Sequence, residues 1–138
     1  MDTKNPVIQL CIQGTLAEFE HRIDDARELY QQAWESHTDN YEACIAAHYV
    51  ARFQDDPEKS LHWNQIALEH ANAASHELVR EFYPSLYLNL GHSHEVLGNQ
   101  MEAQRCYDLA AELGVIHQPD DDKSYFNTTA APYPTTDE

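Results

Sequence analysis

The sequence predicts an all-α chain of three helical hairpins, and three observations predict it. Gly14, Ala26, Tyr30 and Ala33 recur at identical spacing as Gly91, Ala103, Tyr107 and Ala110, which is an internal repeat. Apolar residues return every three or four positions through most of the first 113 residues, the period of an α-helix. Capping residues and prolines punctuate that period where helices would begin and end.

Taken in order, Asn5 is a good N-cap and Pro6 a good first-turn residue, so a first helix carries Val7, Leu10, Gly14 and Ala17 and runs to about Phe19. A polar break at His21 and Arg22 leads to a second helix, with Ile23, Ala26, Tyr30 and Ala33, ending near Ser36. Asp39 and Asn40 cap a third, which holds Ala43, Ala47, Tyr49, Val50 and Phe53. Asp55-Asp56-Pro57 opens a fourth, through Leu61, Asn64, Ala67, Leu68 and Ala71, and its carboxylates suit the positive end of the helix dipole. The fifth is ambiguous: Ser75 can cap a helix at His76, but Pro84 removes a backbone hydrogen bond, so the segment to Leu97 either kinks or breaks near Tyr83. Gly98 and Asn99 then turn the chain into a sixth helix carrying Met101, Ala103, Cys106, Tyr107, Ala110 and Leu113, with Gly114 as its C-cap. From 117 to 138 the chain is acidic and then rich in Thr, Pro and Ala, a composition expected to stay disordered and so to follow a helical domain spanning 6–116.

Composition bounds the function. A chain of 138 residues has room for about one domain. With 24 acidic against 8 basic residues and a net charge of −16, it repels phosphate backbones and anionic lipids, so nucleic acid and membrane surfaces are excluded as partners and a basic or neutral protein is favoured. Cys11, Cys44 and Cys106 include no Cys-x-x-Cys pair and read as buried free thiols of a reducing compartment. No stretch has the apolar length of a membrane helix or the pattern of a signal peptide, which together point to the cytoplasm.

A hairpin with small residues in these places resembles the tetratricopeptide repeat. The last hairpin matches through Tyr87, Leu90, Gly91, His94, Gly98, Ala103, Tyr107 and Ala110, the first through Leu10, Gly14, Ala26, Tyr30 and Ala33. The middle one departs from the pattern. Cys44, Ala47 and His48 replace the large apolar residue, leucine and glycine, Ser60 and Asn64 replace the alanine and aromatic, and only Ala67 keeps register, 34 residues after Ala33 and 43 before Ala110. The resemblance implies a short right-handed superhelix whose concave groove is lined by the first helix of each hairpin, and hence a non-catalytic scaffold that binds a protein or peptide. Carried onto this chain, the groove residues are Tyr49, Arg52, Phe53, Asn89, His92 and Glu95, with further groove positions at Cys11, Thr15, Glu18 and Phe19. With only Arg52 and Asn89 available, a clamp for a peptide's terminal carboxylate is disfavoured, and an extended peptide with apolar or basic side chains fits better.

Two other readings compete. One is a structural homodimer in which the last hairpin is capped by its twin or by tail residues Tyr125, Phe126 and Tyr133. The other is a metal- or thiol-dependent hydrolase using Cys44, His48 or His92. Against an enzyme, all four glycines have structural places, leaving none to cradle a phosphate, and His92/His94 and His70/His76 lack the three- or four-residue spacing of ligands on one helix face. No catalytic residue, metal ligand or cofactor is therefore expected.

Overall fold

The computed structural model describes residues 3–113, and among them there is no strand. The helices are α1 (Pro6–Phe19), α2 (Ile23–Ser36), α3 (Asn40–Ala51), α4 (Pro57–Ala73), the short α5 (His76–Val79), α6 (Tyr83–Val96) and α7 (Gln100–Glu112), with a 3₁₀ turn at Arg80–Phe82. The long ones pack in antiparallel pairs, α1 with α2, α3 with α4 and α6 with α7. Pro84 settles the ambiguous segment as a break: it sits in the first turn of α6, where its missing N–H is not needed. Gly114 and the segment 117–138 lie outside the described residues.

The chain divides into two compact units, Met1–Arg80 and Glu81–Glu138. In the first, α3 packs against both α1 and α2, so the first two hairpins share a core of Ile8, Cys11, Ala17, Tyr30, Ala33, Ala43, Cys44, Ala46 and Ala47. A polar knot closes one end of it. Asn5 accepts from the backbone N–H of Val7 and Ile8, capping α1, and donates to Glu42 at 2.7 Å. Asp39 accepts from the N–H of Glu42, capping α3, while Thr38 donates to Glu42 through both N–H and hydroxyl. Burial would raise the Glu42 carboxyl, but the hydrogen bonds from Asn5 and Thr38 hold it below the usual carboxylate range. One buried carboxylate thus holds together the starts of two helices, through side chains 37 residues apart.

The repeat becomes a packing rule in three dimensions. A Cβ added at Gly14 would lie 2.4 Å from the ring of Tyr30, and one added at Gly91 would lie 2.6 Å from the ring of Tyr107. Each glycine is the slot into which the hairpin's tyrosine fits. The turns match too: among the described residues His21 and Gly98 are the two with positive φ, 64° and 83°, and each is followed by an N–H that closes onto a carbonyl five residues back, Arg22 onto Ala17 and Asn99 onto His94, both at 2.8 Å. In the middle hairpin the equivalent places hold His48 and Asn64, so the large side chain moves to the first helix and the smaller one to the second. Close approach is kept by Ala47 and Ala51, both buried, and by Ser60, whose hydroxyl donates to the Ala51 carbonyl at 3.1 Å.

Candidate functional site

Of the six residues assigned to a groove, three fall in the first unit and three in the second. In the first, Tyr49 lies in the last turn of α3, Arg52 is its C-cap and Phe53 follows in the turn, and the structure gathers them with Tyr30 and Glu18 into a single cluster. The Tyr30 ring stacks on Tyr49 with centroids 4.9 Å apart and on Phe53 at 5.7 Å. The Arg52 guanidinium lies 5.9 Å from each of those two neighbouring rings, and its Nη2 is 2.5 Å from the Glu18 carboxylate. The Tyr30 hydroxyl donates to the same carboxylate and lies 3.2 Å from the hydroxyl of Thr15.

Burial dominates the electrostatics of this cluster. It raises the Glu18 carboxyl, with Arg52 and then the Tyr30 hydroxyl pulling it back, and it lowers the Arg52 guanidinium while Glu18 opposes. With side-chain exposures of only 13 % and 7 %, the pair offers little to a ligand. The sequence pattern had marked Arg52 as a groove cation. The structure pairs its Nη2 with Glu18 of α1 instead.

Phe53 lines a cleft. Its ring floors a space of about 600 Å³ between the start of α2 and the loop into α4. Asp24, Glu28, Asp55 and Asp56 line it against Arg27 and Lys59. Arg27 is held 3.7 Å from Asp55, its guanidinium 6.0 Å above the Phe53 ring.

In the second unit, Asn89 is half-buried while His92 and Glu95 are exposed on α6. Glu95 accepts from the Tyr107 hydroxyl at 2.6 Å.

A further surface lies beside these positions. Ile12, Leu16 and Phe19 are exposed by 37 %, 55 % and 64 %, and their spacing of four and three puts them in one stripe on α1, while Ile23, 41 % exposed, opens α2 just past the turn. Only Phe19 stood among the sequence-derived groove positions. The available signal was that α1 is apolar nearly all round, more than one buried face requires.

The nucleophile candidates are placed where neither is activated. Cys44 is buried and its thiol is pushed up to about 12, as is that of Cys11. His48, one turn along α3, is brought down to about 3 by burial and by Arg52. A working thiol–imidazole pair needs the opposite shifts, a thiolate beside an imidazolium. Among the described residues no three His, Cys, Asp or Glu gather as a metal site, and no helix is long and apolar enough to cross a membrane. No family model matches the chain, and no curated protein or solved structure matches it either.

Proposed function

We propose that the chain is a non-catalytic, tetratricopeptide-like scaffold that binds a protein segment combining apolar and basic side chains. The observation that carries this reading is the exposed α1 stripe Ile12, Leu16 and Phe19, with Ile23 exposed just past the turn. Large apolar side chains exposed together are costly in water and mark places where partners dock. The acidic cleft supplies the second half of the recognition: Asp24 follows Ile23 directly, and its four lining carboxylates outnumber its own cations, Arg27 and Lys59, which suits a further Lys or Arg side chain. A net charge of −16 works against a second copy of the chain as occupant and speeds encounter with a cationic one. The nested Gly14–Tyr30 and Gly91–Tyr107 pairs support the repeat-family reading, and three free, buried cysteines suit a cytoplasmic setting. The neutral states of Cys44 and His48 weigh against the hydrolase alternative.

Anisotropy of a labelled Lys/Leu amphipathic peptide tests the proposal, with a Glu/Leu peptide of equal length as control. The basic peptide is expected to bind at micromolar concentration, to weaken with salt, and to lose about tenfold in affinity, equivalent to about 1.4 kcal/mol, in the Leu16→Ser, Phe19→Ser double variant. Equal binding of both peptides, or an unchanged affinity in the double variant, removes the stripe as the site. Sedimentation of the free chain as a dimer that the same two substitutions dissociate transfers the stripe to self-association.

A further inference from the structure

Where α2 ends and α4 nears its last turn, the first unit brings together two histidines that are 33 positions apart in sequence. His37 is the C-cap of α2, in extended conformation, and His70 lies three residues before the end of α4. Their ring centroids are 5.9 Å apart, with planes at 59°. Trp34 flanks both, 4.4 Å from His37 and 5.8 Å from His70, and Trp63 meets Trp34 edge-on at 5.0 Å.

The hydrogen bonds determine which nitrogen of each ring carries its proton. The Nδ1 of His37 is 2.5 Å from the backbone carbonyl of Trp34, and a carbonyl can only accept, so Nδ1 is the protonated nitrogen. The Nδ1 of His70 is 2.8 Å from Oδ1 of Asn40. The Asn40 amide is oriented by its own Nδ2, which donates to the Ala73 carbonyl at 3.4 Å, so Oδ1 faces His70 and Nδ1 again donates. In the neutral form both rings keep their lone pair on Nε2. A ring held by an Nδ1–H···O=C bond with Nε2 left basic is the usual arrangement of a histidine that ligates a metal.

The spacing agrees. Two imidazoles bound through nitrogen at about 2.1 Å, at angles from tetrahedral to linear, put their ring centroids roughly 5 to 6.5 Å apart. The observed 5.9 Å falls inside that interval. Both rings are half-buried, which leaves room for water to complete a coordination shell. The strongly negative chain raises the local concentration of any cation.

We propose that His37 and His70 form a two-imidazole site for a borderline divalent transition-metal ion of the Cu²⁺ or Zn²⁺ class, with Asn40 and the Trp34 carbonyl as positioning groups. Imidazole nitrogen suits these ions, and Cu²⁺ binds tightest among them. The site goes beyond the scaffold reading and is independent of it.

The chain carries its own reporter, because its two tryptophans are Trp34 and Trp63. Titrating the full chain with Cu²⁺ is expected to quench tryptophan emission saturably at one equivalent. His37→Ala and His70→Ala are each expected to weaken that binding by at least about tenfold, and Asn40→Ala by about tenfold through the loss of ring orientation. His62→Ala is the control: it removes an exposed histidine 6.5 Å from Trp63 and is expected to change nothing. Quenching that is unsaturable, or saturable but unaltered in both histidine variants, overturns the proposal. A second readout needs no substitution: Zn²⁺ added to the unmodified chain is expected to shift the Nε2 resonances of His37 and His70 together in nuclear magnetic resonance spectra, with both Nδ1 protons retained. Shifts confined to other histidines overturn it equally.

Discussion

The first and last hairpins of this chain follow one plan in different surroundings. In each, a glycine on the first helix receives the ring of a tyrosine on the second, that tyrosine's hydroxyl donates to a glutamate one turn past the glycine, and a residue with positive φ makes the turn. In the first hairpin the glutamate, Glu18, is nearly covered and is met by Arg52, while Tyr30 is 1 % exposed and held between two aromatic rings. In the last, Glu95 is exposed and Tyr107 only half-buried. The same local hydrogen bond is therefore made in a poorly solvated interior in one case and near water in the other. What differs is not the hairpin but what α3 adds to it.

The largest expected difference comes from the two glutamates. Glu18→Ala strands a guanidinium that is almost fully covered and is expected to cost about 3 kcal/mol. Glu95→Ala is expected to stay within about 0.5 kcal/mol. Urea unfolding separates the two cleanly, because both tryptophans belong to the first unit while far-ultraviolet circular dichroism reads both units. Equal losses would mean that burial does not govern these bonds.

The glycines should differ in the same sense by less. Alanine at Gly14 must displace a ring pinned on several sides, an overpacking cost of about 2 kcal/mol net of the gain in helix propensity. At Gly91 the half-exposed Tyr107 can swing toward solvent, so Gly91→Ala is expected to come out near neutral, within about 1 kcal/mol, by the same denaturation.

The smallest effect concerns the middle hairpin, where His48 stands in the glycine's place. Its folded value of about 3 lies below the ordinary 6.5, so the unfolded chain takes up a proton that the folded one refuses. The stability this confers is complete above about pH 6.5 and is lost as pH falls toward 3. His48→Gln is expected to reduce the loss of unfolding free energy in urea between pH 7.5 and 5.5 by on the order of 1 kcal/mol.

Much of the fold was legible because its signals are local. Asn5-Pro6, Asp39 and Asp56-Pro57 each open a helix where capping chemistry places one, and Gly14/Tyr30 and Gly91/Tyr107 proved to be contacts as well as matches. The groove was less legible. Spacing put Arg52 and Tyr49 on one face of α3, but which neighbour faces them depends on the height at which α1 crosses, and Glu18 at that crossing turns a surface cation into an interior pair. The stripe on α1 reads from sequence as excess core, since apolar residues carry no mark of which face remains uncovered. His37 and His70 had no signal at all: one caps a helix and the other ends a helix, and only the packing of α2, α3 and α4 makes them neighbours.

The Glu42 knot bears on the order in which the first unit comes apart. Contacts within a hairpin close short loops and form early, whereas Asn5 to Glu42 and Glu18 to Arg52 span 37 and 34 residues and reward the chain only after both hairpins exist. Bonds made late in folding act as latches on the way out: weakening them quickens unfolding while leaving the folding rate nearly alone. Substitution of either carboxylate, Glu42 at one end or Glu18 at the other, is therefore expected to shorten the lifetime of the folded first unit more than it slows its formation.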